Sequence, residues 1–252
     1  MQIAALYDIH GNLPALNAVL RQLEEIQPDL IVVGGDIVSG PLPGKTLERL
    51  AAYGDRVRYI RGNNDREVVM AFDGVPLPDK MSPRARQEVQ WEAGQLTSFQ
   101  RDFLAQLPEQ FVMSGIDSGE ILFCHATPNS DEEIFTPLSS HQRLTTIFGA
   151  TEQKLVVCGH THLQFELQVG DVRIVNAGSV GMPFADTPGA CWLMLSPDGY
   201  EFRRTTYDLE AAAHEIRAGG HPHAQEFVED NVLTVPTVAQ AQELLQRLEM
   251  MG

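Results

Sequence analysis

Short apolar runs and amphipathic stretches alternate along the first third of the chain. Ile3–Asp8 predicts a strand, and Pro14–Gln27 a helix with Leu16, Leu20 and Leu23 on one face. Asp29–Gly34 reads as a buried strand, Thr46–Ala52 as a helix and Arg56–Ile60 as a third strand. Apolar strands separated by helical patterns predict parallel pairing with crossover helices. From about residue 66 to 110 the pattern turns helical and polar, with Trp91, Leu96, Phe99, Phe103 and Leu107 at helix-like spacing before Pro108.

The second half is richer in alternating, strand-like runs. Phe111–Ser114 and Ile121–Cys124 predict a hairpin turned by Asp117-Ser118-Gly119, and Leu155–Cys158 a strand running into Gly159. Gln164–Val169 with Val172–Val175, and Ala190–Leu195 with Tyr200–Tyr207, predict two further hairpins. Leu209–Ala218 reads as a helix stopped by Gly219-Gly220. Val238, Ala241, Leu245 and Leu248 then mark a terminal amphipathic helix, whose stripe fits packing on its own domain or on an oligomeric partner. The expected architecture is α/β, each half supplying a sheet, with the two packed face to face as a sandwich flanked by helices. No repeat or linker breaks the chain, so residues 1–252 are expected to form one domain, with a helical excursion at about 66–110 and a helical tail at 208–252.

Charge narrows the range of partners. The 252 residues carry 18 Lys and Arg against 34 Asp and Glu, a net charge of −16, which disfavours non-specific nucleic-acid binding and anionic membranes. The three cysteines, Cys124, Cys158 and Cys191, sit singly in apolar runs and read as small buried hydrophobes. Cys124 beside His125 is not expected to act as a nucleophile, because neighbours on a strand face opposite ways. With no membrane-length apolar run and no leader-like start, a cytoplasmic setting is the expectation.

The chemistry lies in five short blocks, each following an apolar stretch: Asp8-Ile9-His10, Gly34-Gly35-Asp36, Gly62-Asn63-Asn64-Asp65, His125 and Gly159-His160-Thr161-His162. Imidazoles, two carboxylates and an amide oxygen suit a pair of divalent cations. Asp8 and His10, two apart, point the same way if the strand stays extended. Asp36 follows glycines that let the backbone approach a neighbour, and it is the expected bridge between the ions. The turn at Gly159 allows His160 and His162 to serve different ions. Two such cations with Asp8, Asp36 and a bridging hydroxide leave net positive charge for a phosphoryl group, and metal coordination brings the pKa of water to about 7.

The order D-x-H, G-G-D, G-N-x-D, H, G-H-x-H resembles the calcineurin-like metallophosphoesterase superfamily. Asn176-Ala177-Gly178-Ser179-Val180-Gly181-Met182-Pro183 further resembles its small bacterial and archaeal phosphodiesterase branch. The resemblance covers roughly residues 1–207. It implies that Asp8, His10 and His162 hold one ion and that Asn63, His125 and His160 hold the other, with Asp36 shared. Asp65 is implied as a supporting group near the site rather than a ligand. The implied reaction is hydrolysis of small-molecule phosphodiesters or nucleotide-like esters by a metal-bridging hydroxide. Mn²⁺ is expected first, with Fe, Zn²⁺, Ni²⁺ or Co²⁺ as alternatives.

One departure from the family pattern stands out. Many members carry histidine after the motif asparagine, where it contacts substrate and protonates the leaving oxygen; here the residue is Asn64. A carboxamide donates hydrogen bonds but is no proton donor near neutral pH, which predicts a preference for esters with acidic leaving groups. Asn63, Asn64 and Arg61 are the expected substrate contacts. The 76–110 stretch, carrying Arg84 and Arg86, is a candidate lid, and Gly178-Ser179 reads as a structural bend. His141 is a minor candidate for the missing acid, and His214, His221 and His223 are expected at the surface. Alternative functions are a protein or phosphomonoester phosphatase on the same site, or a non-catalytic protein-binding scaffold.

Overall fold

In the computed structural model, residues 1–114 and 119–251 are described. Two five-stranded mixed sheets carry the chain. The first is built on β1 (Ile3–Leu6), β2 (Leu30–Val33) and β3 (Val57–Tyr59), paired in parallel. Between them run α1 (Leu13–Ile26) and α2 (Pro43–Ala51), both started by prolines whose missing N–H would be unpaired there anyway. The excursion comprises α3 (Asn63–Phe72), α4 (Pro83–Gly94) and α5 (Ser98–Ala105). Thr97 caps α5 and breaks the helical register, and Phe99, expected on the apolar face, is 82 % exposed.

The second sheet has the order β4 (Gln110–Ser114), β5 (Glu120–Cys124), β6 (Leu155–Cys158), β8 (Val172–Ala177) and β7 (Gln164–Val169). Strands β4 and β5 pair antiparallel, while the expected turn residues Asp117 and Ser118 lie outside the described residues. Helix α6 (His141–Phe148), capped by Ser140, packs Leu144, Ile147 and Phe148 on this sheet.

One expectation fails in its detail. The hairpin β9 (Ala190–Ser196) and β10 (Gly199–Thr205) does not stay with the second sheet. Strand β9 pairs antiparallel with β1, so the sheet begun at the N-terminus is completed from residues nearly two hundred positions away. The physical reason is burial: β9 is apolar on both faces, which suits the interior position beside β1 rather than an edge.

Period-two patterning sets the layers. Ile3, Ala5, Tyr7, Val32, Phe123, Val157 and Val175 meet between the sheets, while Ala4, Leu6, Ile31 and Val33 face the helices of the first sheet. Tyr7 Oη donates to the Val157 carbonyl at 2.9 Å, a buried bond from one sheet to the other. The tail adds α7 (Leu209–Ala218), α8 (Ala224–Val228), a π-helical turn at Glu229–Leu233 and α9 (Val238–Met251). Among the described residues no helix is long and apolar enough to cross a membrane.

Candidate metal centre

The candidate residues lie in the loops after β1, β2, β3, β5 and β6. Within their sheets β1, β2 and β3 run parallel, as do β5 and β6, so the carboxyl ends of these strands gather the loops where α/β sheets bind ligands. Donor atoms of Asp8, His10 and His162 lie within 4.8 Å of one another, and so do those of Asp36, His125 and His160. Asp36 Oδ2 is 3.7 Å from His10 Nε2 and 3.5 Å from His125 Nε2, within reach of both groups. His160 and His162 fall into different groups, as the Gly159 turn allows.

The route to this convergence differs from the extended strand expected for Asp8 and His10. Strand β1 stops at Leu6, and both residues have left-handed backbone, with φ of 52° and 48°. Asp36, His160 and His162 share that conformation, with φ of 50°, 66° and 58°. Among the described residues the only other non-glycine residue with positive φ is Gln27, at the end of α1. Left-handed backbone costs an L-residue about 1–2 kcal/mol, so the ligand loops are where this fold concentrates strain.

Hydrogen bonds to main-chain atoms orient the rings. His10 Nδ1 meets the Ser39 carbonyl at 2.9 Å, His125 Nδ1 the Gly34 carbonyl at 2.8 Å, and His160 Nε2 the Glu132 carbonyl at 3.2 Å. A carbonyl only accepts, so each of these nitrogens carries the proton. In the neutral ring the other nitrogen then presents its lone pair to the centre. Asp8 Oδ2 accepts from His160 N–H at 2.8 Å, whereas its buried Oδ1 has no hydrogen-bond partner. That free oxygen lies 3.5 Å from His162 Nε2 and 3.8 Å from His125 Nε2. His10 Nε2 and His162 Nε2 face one another at 3.0 Å. The side-chain amide of Asn63 points one of its two polar atoms at the same place, 3.2 Å from His160 Nδ1 and 3.3 Å from His125 Nε2, where a rotation of the amide offers either its oxygen or its NH₂. So many acceptors aimed at common points, one of them an orphaned buried carboxylate oxygen, form a donor set that fits divalent cations.

Protonation in the metal-free chain follows from burial and close carboxylates. Burial opposes a charge on His125, but Asp36 and Asp8 outweigh it and push the ring up to about 10. Burial and the repulsion of His125 pull His160 down to about 4. His10 is lowered by burial and by His162. Asp65 is pushed up to about 7 by burial and by Asp36.

Asp65 joins two loops. Its Oδ1 accepts from the N–H groups of Ile37 (2.8 Å) and Val38 (3.3 Å), and its Oδ2 from Gly62 N–H at 3.0 Å. Asn64 donates twice to Asp36, from its backbone N–H and from Nδ2. Gly62 permits this approach: a Cβ there would lie 2.1 Å from Asp36 Oδ1 and 2.4 Å from Asp36 N. Ser179 Oγ donates to the Asp8 carbonyl at 2.7 Å, and Asn176 Nδ2 to the Gly159 carbonyl at 2.7 Å. The Asn176–Pro183 segment is thus a brace for the Asp8–His10 and Gly159–His162 loops.

Other expected residues sit elsewhere. Arg61 is held by Glu109, with Nη2 2.6 Å from Oε1, and does not line the cavity at the centre. Arg84 lines that cavity, whereas Arg86 donates to the Pro78 carbonyl. His214 is exposed as expected, but His221 is buried in the cavity wall. Burial pushes Cys124 up to about 12 and Cys191 to about 11, which leaves both as unreactive thiols. Sequence reasoning also missed the Arg66–Asp131 pair, bonded at 2.9 and 3.1 Å, which ties α3 to the segment whose Glu132 carbonyl orients His160.

Residues 1–198 match the calcineurin-like phosphoesterase superfamily domain. The chain belongs to that superfamily. It is 27 % identical over 207 residues to phosphodiesterase YfcE of Escherichia coli, covering 79 % of this chain and 89 % of the relative. An uncharacterized protein of Methanocaldococcus jannaschii is 26 % identical over 234 residues, covering 85 % of this chain and 91 % of that one. Among solved structures, a hypothetical protein of Pyrococcus horikoshii superposes with a TM-score of 0.76 at 22 % identity, over 90 % of this chain and 96 % of that one. A metallophosphoesterase of Sphaerobacter thermophilus gives 0.72 at 24 %, over 91 % and 97 %. Membership makes this chain a metallophosphoesterase-type hydrolase, and its two candidate ligand groups are suited to divalent ions.

Proposed function

We propose that this chain is a metal-dependent phosphodiesterase with a dinuclear centre, one ion held by Asp8, His10 and His162, the other by Asn63, His125 and His160, with Asp36 shared. The observation that carries the reading is the position of Asp36 Oδ2, within 3.7 Å of a histidine from each group. Two bound divalent ions would supply positive charge for the phosphoryl oxygens and a water acidic enough to deprotonate near neutral pH. The chain does the rest. Main-chain carbonyls hold His10, His125 and His160 with their lone pairs inward. Asp65 locks the Asp36 loop to the Asn63 turn. Asn64 fixes both oxygens of Asp36.

The diester assignment is supported by the resemblance to YfcE and by Asn64, which offers no transferable proton to a strongly basic leaving oxygen. Mn²⁺ is the first candidate by the family resemblance alone, since a set of imidazoles with carboxylate and amide oxygens does not choose among Mn²⁺, Fe²⁺, Zn²⁺, Ni²⁺ and Co²⁺. The test is a matrix of metals (Mn²⁺, Fe²⁺, Zn²⁺, Ni²⁺, Co²⁺) against substrates, using metal-stripped protein. The expected result is turnover of bis(p-nitrophenyl) phosphate at rates above those of alkyl monoesters and phosphopeptides. Preference for phosphopeptides makes the chain a protein phosphatase, and turnover with none of them despite two bound ions makes it a scaffold.

A further inference from the structure

The cavity over the metal-binding groups has a second set of walls that the hydrolytic chemistry leaves unused. It has a volume of about 340 Å³ and is lined by His10, Asp36, Asn64, His160 and His162, and also by residues of α4 and of the tail. From α4 come Arg84, Glu88 and Glu92; from the tail come His221, Glu226, Phe227 and Asp230. Among the described residues that line the wall, the only cation besides histidine is Arg84, which is exposed and pairs with Glu88 one helical turn away, Nε to Oε1 at 3.1 Å, so its charge is opposed there and screened by water. The remaining carboxylates of the wall have no lysine or arginine partner among the described residues, and Glu226 meets only His223, at 3.9 Å.

Glu92 is the unusual member. It is 1 % exposed, and its Oε2 has no hydrogen-bond partner. Its Oε1 lies 3.9 Å from His221 Nε2. His221 Nδ1 accepts the N–H of His223 at 3.2 Å, which leaves Nε2 as the protonated nitrogen of the neutral ring. A buried carboxyl oxygen left without a partner destabilises the fold, so a donor from outside the chain has much to gain there. Burial, together with Glu88, Asp36 and Asp65, raises the carboxyl well above its usual range; the Gly40 N–H offsets this only in part, and an entering cation opposes the shift further. Phe227 puts an aromatic ring in the same wall, a surface that also attracts cations.

Building on the phosphodiesterase reading above, we propose that this wall is a subsite for one alcohol arm of the diester and that it takes an arm ending in a primary ammonium group, with Glu92 as the accepting residue. Glu226 and Asp230 supply the surrounding negative field, and the same field repels an arm that ends in a carboxylate or phosphate. Glu92 and His221 are thereby specificity residues, remote from the bond that breaks.

The test compares p-nitrophenyl phosphodiesters whose second arm is 2-aminoethyl, its uncharged counterpart propyl, or 2-carboxyethyl. Binding of two ester-free phosphinates, 3-aminopropyl(butyl)phosphinate and dibutylphosphinate, is measured by calorimetry on the same metal-loaded protein. The expected order of kcat/KM is 2-aminoethyl, propyl, 2-carboxyethyl, with at least a tenfold gap between the first two and a matching preference among the phosphinates. Glu92→Gln is expected to cut the aminoethyl-to-propyl ratio to a third or less. The exposed pair Glu226→Gln with Asp230→Asn is expected to lower it as well, and serves if Glu92→Gln does not fold. Equal rates and equal phosphinate affinities overturn the subsite while leaving a diesterase. Phosphinate selectivity without turnover of any diester keeps the subsite and overturns the diesterase reading.

Discussion

Asn64 binds both oxygens of Asp36: its backbone N–H meets Oδ1 at 2.9 Å and its side-chain Nδ2 meets Oδ2 at 2.6 Å. The residue at the usual proton-donor position therefore also holds the carboxylate that both ligand groups approach. Asn64→His removes the amide bond to Asp36 and adds a titratable ring. The loss at Asp36 falls equally on every substrate, whereas a proton donor favours poor leaving groups. The expected outcome is a rise of roughly tenfold or more in the alkyl-to-aryl diester rate ratio, whatever happens to the absolute rates. A ratio that stays flat, at equal metal content, would show that another group already protonates the leaving oxygen.

Metal uptake should release protons. His125 is pushed up to about 10 in the metal-free chain, so at pH 7.5 it is protonated, and a coordinated imidazole must be neutral. Calorimetry in buffers of different ionisation enthalpy should report at least one proton released per protein. Apparent affinity should rise by about tenfold per pH unit per proton across the window from about 6.5 to 10. The same shift has a consequence for stability. A group whose folded pKa is raised stabilises the fold fully below its unfolded value and loses that effect as pH climbs through the folded one. The melting temperature of metal-free protein should therefore fall between pH 6.5 and 10 relative to the loaded form. Parallel curves would refute the assignment.

Asp65 accepts three main-chain N–H groups from two loops. Asp65→Ala leaves these buried donors without partners, at about 1–3 kcal/mol each, and should cost at least about 2 kcal/mol in denaturant unfolding. Asp65→Asn keeps one acceptor but turns an NH₂ group toward Gly62. It should weaken metal binding by about 10–100-fold, the range typical of groups that orient ligands. Metal titration of the folded variant distinguishes this role from mere stabilisation.

Two glycine substitutions separate crowding from backbone strain. Gly62→Ala would drive a methyl into Asp36 and should displace that loop, with loss of at least one ion by elemental analysis. Gly170→Ala, at φ +57° with nothing within 4 Å of the new Cβ, should cost only about 1–2 kcal/mol and leave metal content intact. Full metal occupancy in Gly62→Ala would disprove the tight-approach argument.

The candidate ligands were legible because each follows an apolar run that ends beside it, as Val33 and Cys124 precede Asp36 and His125. The strands and most helices were legible for the same reason, through their periodicity. Three features were not. The pairing of β9 with β1 is a contact between residues such as Leu193 and Ala5, and no local pattern records it. The left-handed backbone at Asp8 and His10 leaves no mark beyond the residue types, so an extended strand was the natural expectation. His221 follows two glycines and carries no periodicity, so nothing local marks it as buried. Glu92 did leave a trace: it lies between Val89 and Ala93 on the buried side of α4, a charge within an apolar stripe.

The five left-handed candidate ligands have an implication for directed evolution. At each of these positions glycine would relieve the local conformational penalty, and it would also delete a donor atom. A library screened for heat resistance alone should accept glycine first at the half-buried residues 160 and 162, where truncation leaves the smaller void, and such survivors would be durable proteins with a weakened hold on ions.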